Sequence, residues 1–164
     1  MIFILQFLLL NGFRESPFTR DMKNWELYSH ALQNADDPDL KKLPSAKGIW
    51  APCLTYCEKE DLFYVVYGVM NSMNARYFDV DNYLITAKDP KGPWSQPVYL
   101  HSTGFDASMF HDDDGKKYIV ALDWETRTAY EKPGPINIVE YDPVEKNHRN
   151  AKAILERRNR PGMY

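Results

Sequence analysis

The chain has 164 residues, of which 44% are hydrophobic and 26% charged, and its formal net charge at pH 7 is −3. This length and balance are typical of one globular domain rather than of a disordered tail. Basic residues cluster only at Arg157, Arg158 and Arg160, so the charge pattern excludes a nucleic-acid-binding surface.

The chain begins with an apolar run from Met1 to Leu10. About ten residues are too few to span a bilayer. The run has no basic residue before Arg14 and no small-residue cleavage site before Asn11, so a signal peptide is not favoured. We predict an atypical segment over residues 1–19 and no membrane partner, and the sequence leaves a cytoplasmic or a secreted location open.

The rest of the chain consists of short apolar or alternating runs separated by turn residues, the pattern of many short strands. Strands are predicted at residues 61–68, 82–87, 107–111, 117–122 and 136–141. Asp114-Gly115 between two of these runs predicts a hairpin, and Asp112, Asp113 and Asp114 are expected to form its solvated turn rather than a pair of acids. Only residues 150–158 could form more than two helical turns, without an apolar stripe. The predicted fold class is all-β.

The predicted strands recur along the chain. Residues 62–67 and 84–90 are similar to residues 117–122 and 137–143, which lie about 54 residues later. Repeats of this length with three or four strands are typical of β-propeller blades. About two and a half such units fit, whereas a closed ring needs at least four. A β-sandwich with similar hairpins remains the alternative.

Cys53 and Cys57 are the two cysteines. In an extended segment their Cα atoms would be roughly 13 Å apart, beyond the disulfide limit of about 7 Å, so we expect free thiols. The four histidines lack metal-ligand spacing, and no phosphate-binding glycine loop occurs. The sequence predicts no metal site and no cofactor.

Besides the Asp-Asp-Asp-Gly turn at 112–115, the sequence contains four further motifs. They are Arg-Asp-Met-Lys-Asn-Trp at 20–25, Gly-Ile-Trp-Ala-Pro at 48–52, Gly-Pro-Trp-Ser at 92–95 and Gly-Phe-Asp-Ala-Ser at 104–108. In this order and spacing they resemble glycoside hydrolase family 43, the five-bladed β-xylosidases and α-arabinofuranosidases. The resemblance implies a partial five-bladed β-propeller over residues 20–150, an atypical tail over 151–164, and xylo- or arabino-configured oligosaccharides as the partner.

That family inverts configuration with three carboxylates: an Asp base, a Glu acid and an Asp that orients the acid and tunes its pKa. Asp106 matches the orienting role, with Ala107 in place of the usual Pro, although an Asp that only caps a strand remains an alternative. The base is expected upstream of Asp21 and the acid beyond Pro143, and neither motif is found there. Glu156 lacks the Gly-Pro that follows the acid.

Trp50 matches the residue that walls the sugar subsite in the family, and Phe105 is expected to line the same pocket. Core packing is the alternative for Trp50. The resemblance thus implies a glycosidase fragment that is inactive by itself because the base and the acid are missing. The other hypothesis is a non-catalytic carbohydrate-binding or scaffold module that closes by self-association through exposed blade edges.

Overall fold

The structure, a computed structural model, describes residues 3–4, 16–24, 26–32, 43, 47–74, 77–126, 134–143 and 147–155. These residues contain eleven strands and no helix that could cross a membrane. The strands are β1 Phe3–Ile4, β2 Ser16–Thr19, β3 Glu26–Ser29, β4 Gly48–Cys57, β5 Leu62–Asn74, β6 Tyr77–Ala87, β7 Val98–His101, β8 Gly104–His111, β9 Lys117–Asp123, β10 Ile136–Asp142 and β11 Asn147–Leu155.

The strands form three antiparallel sheets in chain order. The first sheet contains β1, β2 and β3, the second contains β4 to β7, and the third contains β8 to β11. In each, every strand pairs with the next one along the chain. Strand β5 of the second sheet therefore corresponds to β9 of the third, and β6 corresponds to β10, as the sequence repeat predicts.

The predicted strands and their hairpin are confirmed. In the turn between β8 and β9, Asp112 N–H donates to Lys116 O at 2.9 Å and Gly115 N–H donates to Asp112 O at 3.0 Å. Gly115 has φ 92°, a conformation that glycine adopts at little cost. Asp113 and Asp114 are exposed, so this is the solvated turn that the sequence predicts.

The one stretch that could have formed a helix, residues 150–158, is a strand as far as residue 155. Residues 147–155 form β11, which pairs with β10 from Asp142↔Asn147 to Ile136↔Leu155. Because the stretch lacks an apolar helical stripe, pairing with a free strand edge outweighs its weak helical preference. Strand β11 also crosses residue 150, where we placed a domain boundary, and the domain boundaries stay predictions.

The second sheet is buried on both faces. Along β5 the residues from Tyr64 to Met70 are all buried, and successive side chains point to opposite faces. Tyr64 and Val66 pack toward the third sheet, whereas Val65 and Tyr67 pack toward the opposite side. The cluster between the second and third sheets, here called the interblade core, contains Cys57, Tyr64, Val66, Leu84, Leu100, Ala107, Met109, Ile119, Ala121 and Tyr141.

The two cysteines lie on β4 and are both free thiols, as predicted. Cys57 is buried in the interblade core and Cys53 is half-buried. Neither cysteine therefore forms a disulfide. Apolar packing in the interblade core holds the two sheets together instead.

A polar cluster extends the interblade core at the β4–β5 turn. Lys117 on β9 is buried, with 3% of its side chain exposed, and its Nζ lies 2.5 Å from Glu60 Oε1, whose side chain is 39% exposed. The Tyr64 hydroxyl donates to the other Glu60 carboxylate oxygen. Desolvation opposes ionisation of Glu60, but the hydrogen bonds from Lys117 and Tyr64 hold its pKa below the ordinary value. The pair therefore joins the two sheets across their interface.

Because Lys117 is far more buried than Glu60, the two partners should respond unequally to substitution. Glu60→Ala leaves a buried ammonium without a counter-charge and should lower the free energy of unfolding by about 2 kcal/mol, less than the ~3–5 kcal/mol of a fully buried pair because Glu60 is partly exposed. Lys117→Met fills the same space without a charge and should cost under about 1 kcal/mol. Urea unfolding of both variants measures this order, and a larger loss in Lys117→Met would contradict it.

His111 on β8 lies at the same interface, where its titration should make stability depend on pH. Its Nε2 lies 2.9 Å from Thr55 Oγ1, and its ring packs against Tyr64 at 4.9 Å. Burial, together with the nearby positive charge of Lys117, lowers the pKa of His111. The native state therefore favours the neutral imidazole at a pH where the unfolded chain takes up a proton.

The contribution of His111 to stability should be complete above its unfolded pKa of about 6.5. It should be lost progressively as the pH falls from there toward the lower native pKa. We expect the free energy of unfolding, measured in urea between pH 7.5 and 5.5, to fall less in His111→Gln than in the wild type. Equal slopes for the two proteins would show that His111 does not carry this dependence.

Candidate functional site

The predicted site residues lie where the first strands of the second and third sheets begin. Trp50 is near the start of β4, and Phe105 and Asp106 are near the start of β8. Since neighbouring strands are antiparallel, the end of β5, the start of β6 and the end of β9 lie at the same end. Side chains from β4, β6, β8 and the residue after β9 meet there.

Two aromatic residues that the sequence did not single out, Phe78 and Trp124, join the predicted ones. Phe78 lies between the others: its ring is 6.4 Å from Trp50, 5.5 Å from Phe105 and 4.7 Å from Trp124. Phe105 and Trp124 are 5.5 Å apart. These four rings, here called the aromatic cluster, are all partly exposed. Trp50 is therefore at a surface rather than in the buried core.

The long β5–β6 hairpin explains how Phe78 reaches the cluster. The prediction ended the strand at Gly68, whereas β5 continues to Asn74 and pairs with β6 from Asn74↔Tyr77 onward. The extension begins with buried Val69 and Met70 and is exposed from Ser72 to Asn74, so the apolar pattern does not continue to the end of the strand. Phe78 is a large aromatic residue that pairs with this exposed end, and it was the signal available in the sequence.

A β-bulge presents Asp106 to solvent. Strand β8 pairs Phe105 with Leu122 and Ser108 with Val120, so Asp106 and Ala107 together face one residue of β9. Ala107 is buried in the interblade core and Asp106 is exposed, with φ 54°. Asp adopts this left-handed conformation more readily than most residues. The extra residue thus turns the carboxyl group out of the core.

The same bulge occurs in β4. There Trp50 pairs with Gly68 and Cys53 with Val66, which leaves Ala51 and Pro52 in the bulge. Ala51 has φ 38° and corresponds to Asp106, and Pro52 corresponds to Ala107. A proline fits a bulge because it has no N–H to donate to the ladder. Each of these two sheets therefore presents one residue in this way, and only the third sheet places a carboxyl group there.

Asp106 is accessible but not fully hydrated. Neighbouring protein atoms remove part of its water, and this desolvation raises the pKa of Asp106 above the ordinary value. Asp106 follows Phe105 of the aromatic cluster directly in β8, so a titratable carboxyl group and an aromatic ring come from consecutive residues at the same strand start. This combination suits a ligand with both apolar faces and hydroxyl groups.

The start of β8 lies unusually close to the end of β9. A Cβ added to Gly104 would lie 2.2 Å from Leu122 O, a distance that no side chain allows. Gly104 pairs with Asp123, the residue before Trp124. The absence of a side chain at Gly104 therefore lets Phe105 approach Trp124.

The structure brings Trp50, Phe105 and Asp106 to one end of the two sheets, while their roles stay predictions. Trp25 of the Arg-Asp-Met-Lys-Asn-Trp motif and Glu156 lie outside the described residues. Among the residues that are described, no group of three or more His, Cys, Asp or Glu side chains could hold a metal ion.

Known proteins are similar to this chain in sequence and in fold. The chain is 40% identical over 139 residues to a β-xylosidase of Bacillus subtilis, covering 84% of this chain and 26% of that protein. It is 39% identical over 125 residues to a xylosidase/arabinosidase of Humicola insolens, covering 76% of this chain and 23% of that protein. The chain thus spans about a quarter of the length of these relatives.

A solved structure gives the architecture. The crystal structure of a xylan β-1,4-xylosidase from Bacillus halodurans superposes with a TM-score of 0.83 at 35% identity, covering 91% of this chain and 29% of that one. The prediction of a partial five-bladed β-propeller is confirmed. The model of the glycosyl hydrolases family 43 matches residues 15–160, and the chain belongs to that family.

Proposed function

We propose that this chain supplies part of the sugar-binding site of a glycosidase acting on O-glycosyl bonds of xylan- or arabinan-derived oligosaccharides. The observation that carries the proposal is the aromatic cluster beside Asp106 at one end of two adjacent blades. The names of the relatives, β-xylosidase and xylosidase/arabinosidase, support the substrate class.

The aromatic cluster suits a pentose ring. A sugar has apolar C–H faces that stack on flat aromatic surfaces, and hydroxyl groups at its edge that need hydrogen-bond partners. Trp50 and Phe105 are the proposed walls, and Phe78 holds them together through its contacts with both rings. Asp106 then offers the acceptor oxygens at the edge of this wall.

We assign Asp106 to orienting a general acid and raising or lowering its pKa, rather than to proton transfer itself. Inverting hydrolysis needs an acid and a base on opposite sides of the sugar, roughly 6.5–9.5 Å apart. One carboxyl group cannot occupy both positions. We propose that the base Asp and the acid Glu come from other parts of the propeller, because the motifs expected for them are not found upstream of Asp21 or beyond Pro143.

The 164-residue chain alone is therefore expected to be inactive. Purified chain should not hydrolyse an aryl β-xyloside or an aryl α-arabinofuranoside above the buffer rate, because each missing proton transfer contributes about 10²–10⁴-fold to the rate. Release of the aryl alcohol measures this for the wild type, for Asp106→Asn and for Asp114→Asn. The last variant removes an exposed carboxyl group in the β8–β9 turn and is the matched control.

Hydrolysis by the wild type and by Asp114→Asn that is lost in Asp106→Asn would overturn the expected inactivity. Such a result would show that a complete site exists, with its base and acid supplied within the chain or by a second copy. It would leave the assignment of Asp106 to the site intact.

A non-catalytic sugar-binding module that closes by self-association is the second candidate. Phe110 favours it, since this residue is 51% exposed and lies 6.3 Å from Tyr118 on β9. Its neighbour Met109 points into the interblade core, so Phe110 points to the outer face of the third sheet. A discrete oligomer in sedimentation that disappears in Phe110→Ser would favour this candidate, and a monomer would exclude it.

A further inference from the structure

Asn82 is a polar residue in the most buried part of the second sheet. It lies on β6 with no exposed surface, between Gly68 of β5 and His101 of β7 in the strand register. A buried amide without hydrogen bonds costs about 1–3 kcal/mol. The Asn82 side chain therefore lowers the free energy of the fold only through contacts that an apolar side chain cannot make.

The Asn82 side chain holds both ends of the link between the second and third sheets. Its Nδ2 donates to His101 O at 3.1 Å and to Gly104 O at 2.7 Å. His101 ends β7 and Gly104 begins β8, so the two carbonyls bracket the two-residue link Ser102-Thr103. One amide group thus fixes where the third sheet starts relative to the second.

The residues fixed in this way are those of the site. Gly104 is followed directly by Phe105 and Asp106. On the other side, Asn82 pairs with Gly68, which in turn pairs with Trp50. A Cβ added at Gly68 would lie 3.5 Å from Asn82 Oδ1 and 3.7 Å from Trp50 O. The row from Trp50 through Asn82 to Gly104 therefore connects the two walls of the aromatic cluster through two strand pairings and one side-chain hydrogen bond.

A second layer restrains the same link from the solvent side. The Ser102 hydroxyl donates to Asp81 Oδ1, and Asn71 Nδ2 donates to Asp81 Oδ2 at 2.8 Å. Thr103 N–H donates to His101 Nδ1 at 3.4 Å. Apart from the buried His101, these groups are exposed or partly exposed, so water competes with their hydrogen bonds. The buried Asn82 contacts are the ones that water cannot replace.

We propose that Asn82 is a positioning residue for the sugar site: by holding the His101 and Gly104 carbonyls, it sets Phe105 and Asp106 at a fixed distance from Trp50. This inference rests on the proposed function only for what the site binds. The positioning itself can be measured without a sugar, which keeps the two claims separable.

The main variant is Asn82→Leu, which is close in volume and lacks both donors. Asn82→Ser keeps one donor and should show a smaller change in the same direction. Leu84→Ala is the matched control, because Leu84 lies on the same strand and face in the interblade core and its truncation costs about 2–5 kcal/mol without touching the link. Urea unfolding of all three variants separates lost stability from lost positioning.

The decisive readouts are the Asp106 carboxyl pKa, from ¹³C NMR titration, and ring contacts between Phe105 and Trp124, from NOE intensities. In Asn82→Leu the pKa should fall toward the ordinary Asp value of about 3.9 as the carboxyl group regains water. The NOEs should weaken, with Asn82→Ser intermediate. In Leu84→Ala both readouts should stay at their wild-type values despite the stability loss.

The proposal is overturned if Asn82→Leu, or Asn82→Ser where the leucine variant does not fold, keeps the wild-type pKa and NOEs. It is also overturned if Leu84→Ala changes them to the same extent, since Asn82 would then act only through stability. Affinity for xylose, measured on the same proteins, should fall about tenfold in Asn82→Leu, equivalent to the loss of about one hydrogen bond. A wild type that binds no xylose but passes the positioning test would refute the proposed function alone.

Discussion

The site depends on the face-to-face packing of the second and third sheets. One set of alternating side chains on β5, with Tyr64 and Val66 as its centre, meets Met109 and Ile119 of the third sheet. Burying these apolar groups stabilises the contact at roughly 25 cal/mol per Å² of surface removed from water. Because strand side chains alternate, a shift of one residue in either sheet would turn this face outward. The packing therefore also fixes where the first residue of each strand lies along the strand direction.

Polar contacts add to this packing by joining the two sheets at opposite ends of the strands. At one end, Lys117 and Glu60 join β9 to the β4–β5 turn. At the other end, Asn82 holds the link into β8. The Lys117 ammonium and the Asn82 Nδ2 group are both deeply buried, and both have hydrogen-bond partners that offset the cost of burying them. The aromatic cluster and Asp106 occupy the Asn82 end, while the pH-sensitive His111 lies at the Lys117 end.

Two turns illustrate what the sequence could predict. Asp21 and Asp89 each lie in a turn, and in both turns the Asp carboxylate accepts the backbone N–H two residues later, at 2.9 Å from Lys23 and 2.8 Å from Lys91. Such local turn chemistry, like the Asp-Gly hairpin, depends on neighbours in sequence. The repeat of strands was visible for the same reason, since each blade is one local meander.

The contacts that the sequence did not predict are the ones between distant strands. Phe78 and Trp124 join the site because the β5–β6 hairpin extends beyond the strand that the sequence predicted and because Gly104 lacks a side chain against Leu122. Strand β11 forms because the edge of β10 offers it backbone partners. The bulge that aims Asp106 outward depends on pairing with β9. None of these features leaves a periodic pattern in the sequence. Each becomes apparent only when the pairing of the strands is known.

Mapping xylobiose binding by NMR on the full chain tests most directly whether this end of the two blades is a sugar site. The account predicts that adding the disaccharide shifts the indole N–H signals of Trp50 and Trp124 and the carboxyl signal of Asp106. The indole of Trp94, which packs on the opposite face of the second sheet, should not move. Shifts confined to other residues, or none at millimolar xylobiose, would contradict the account.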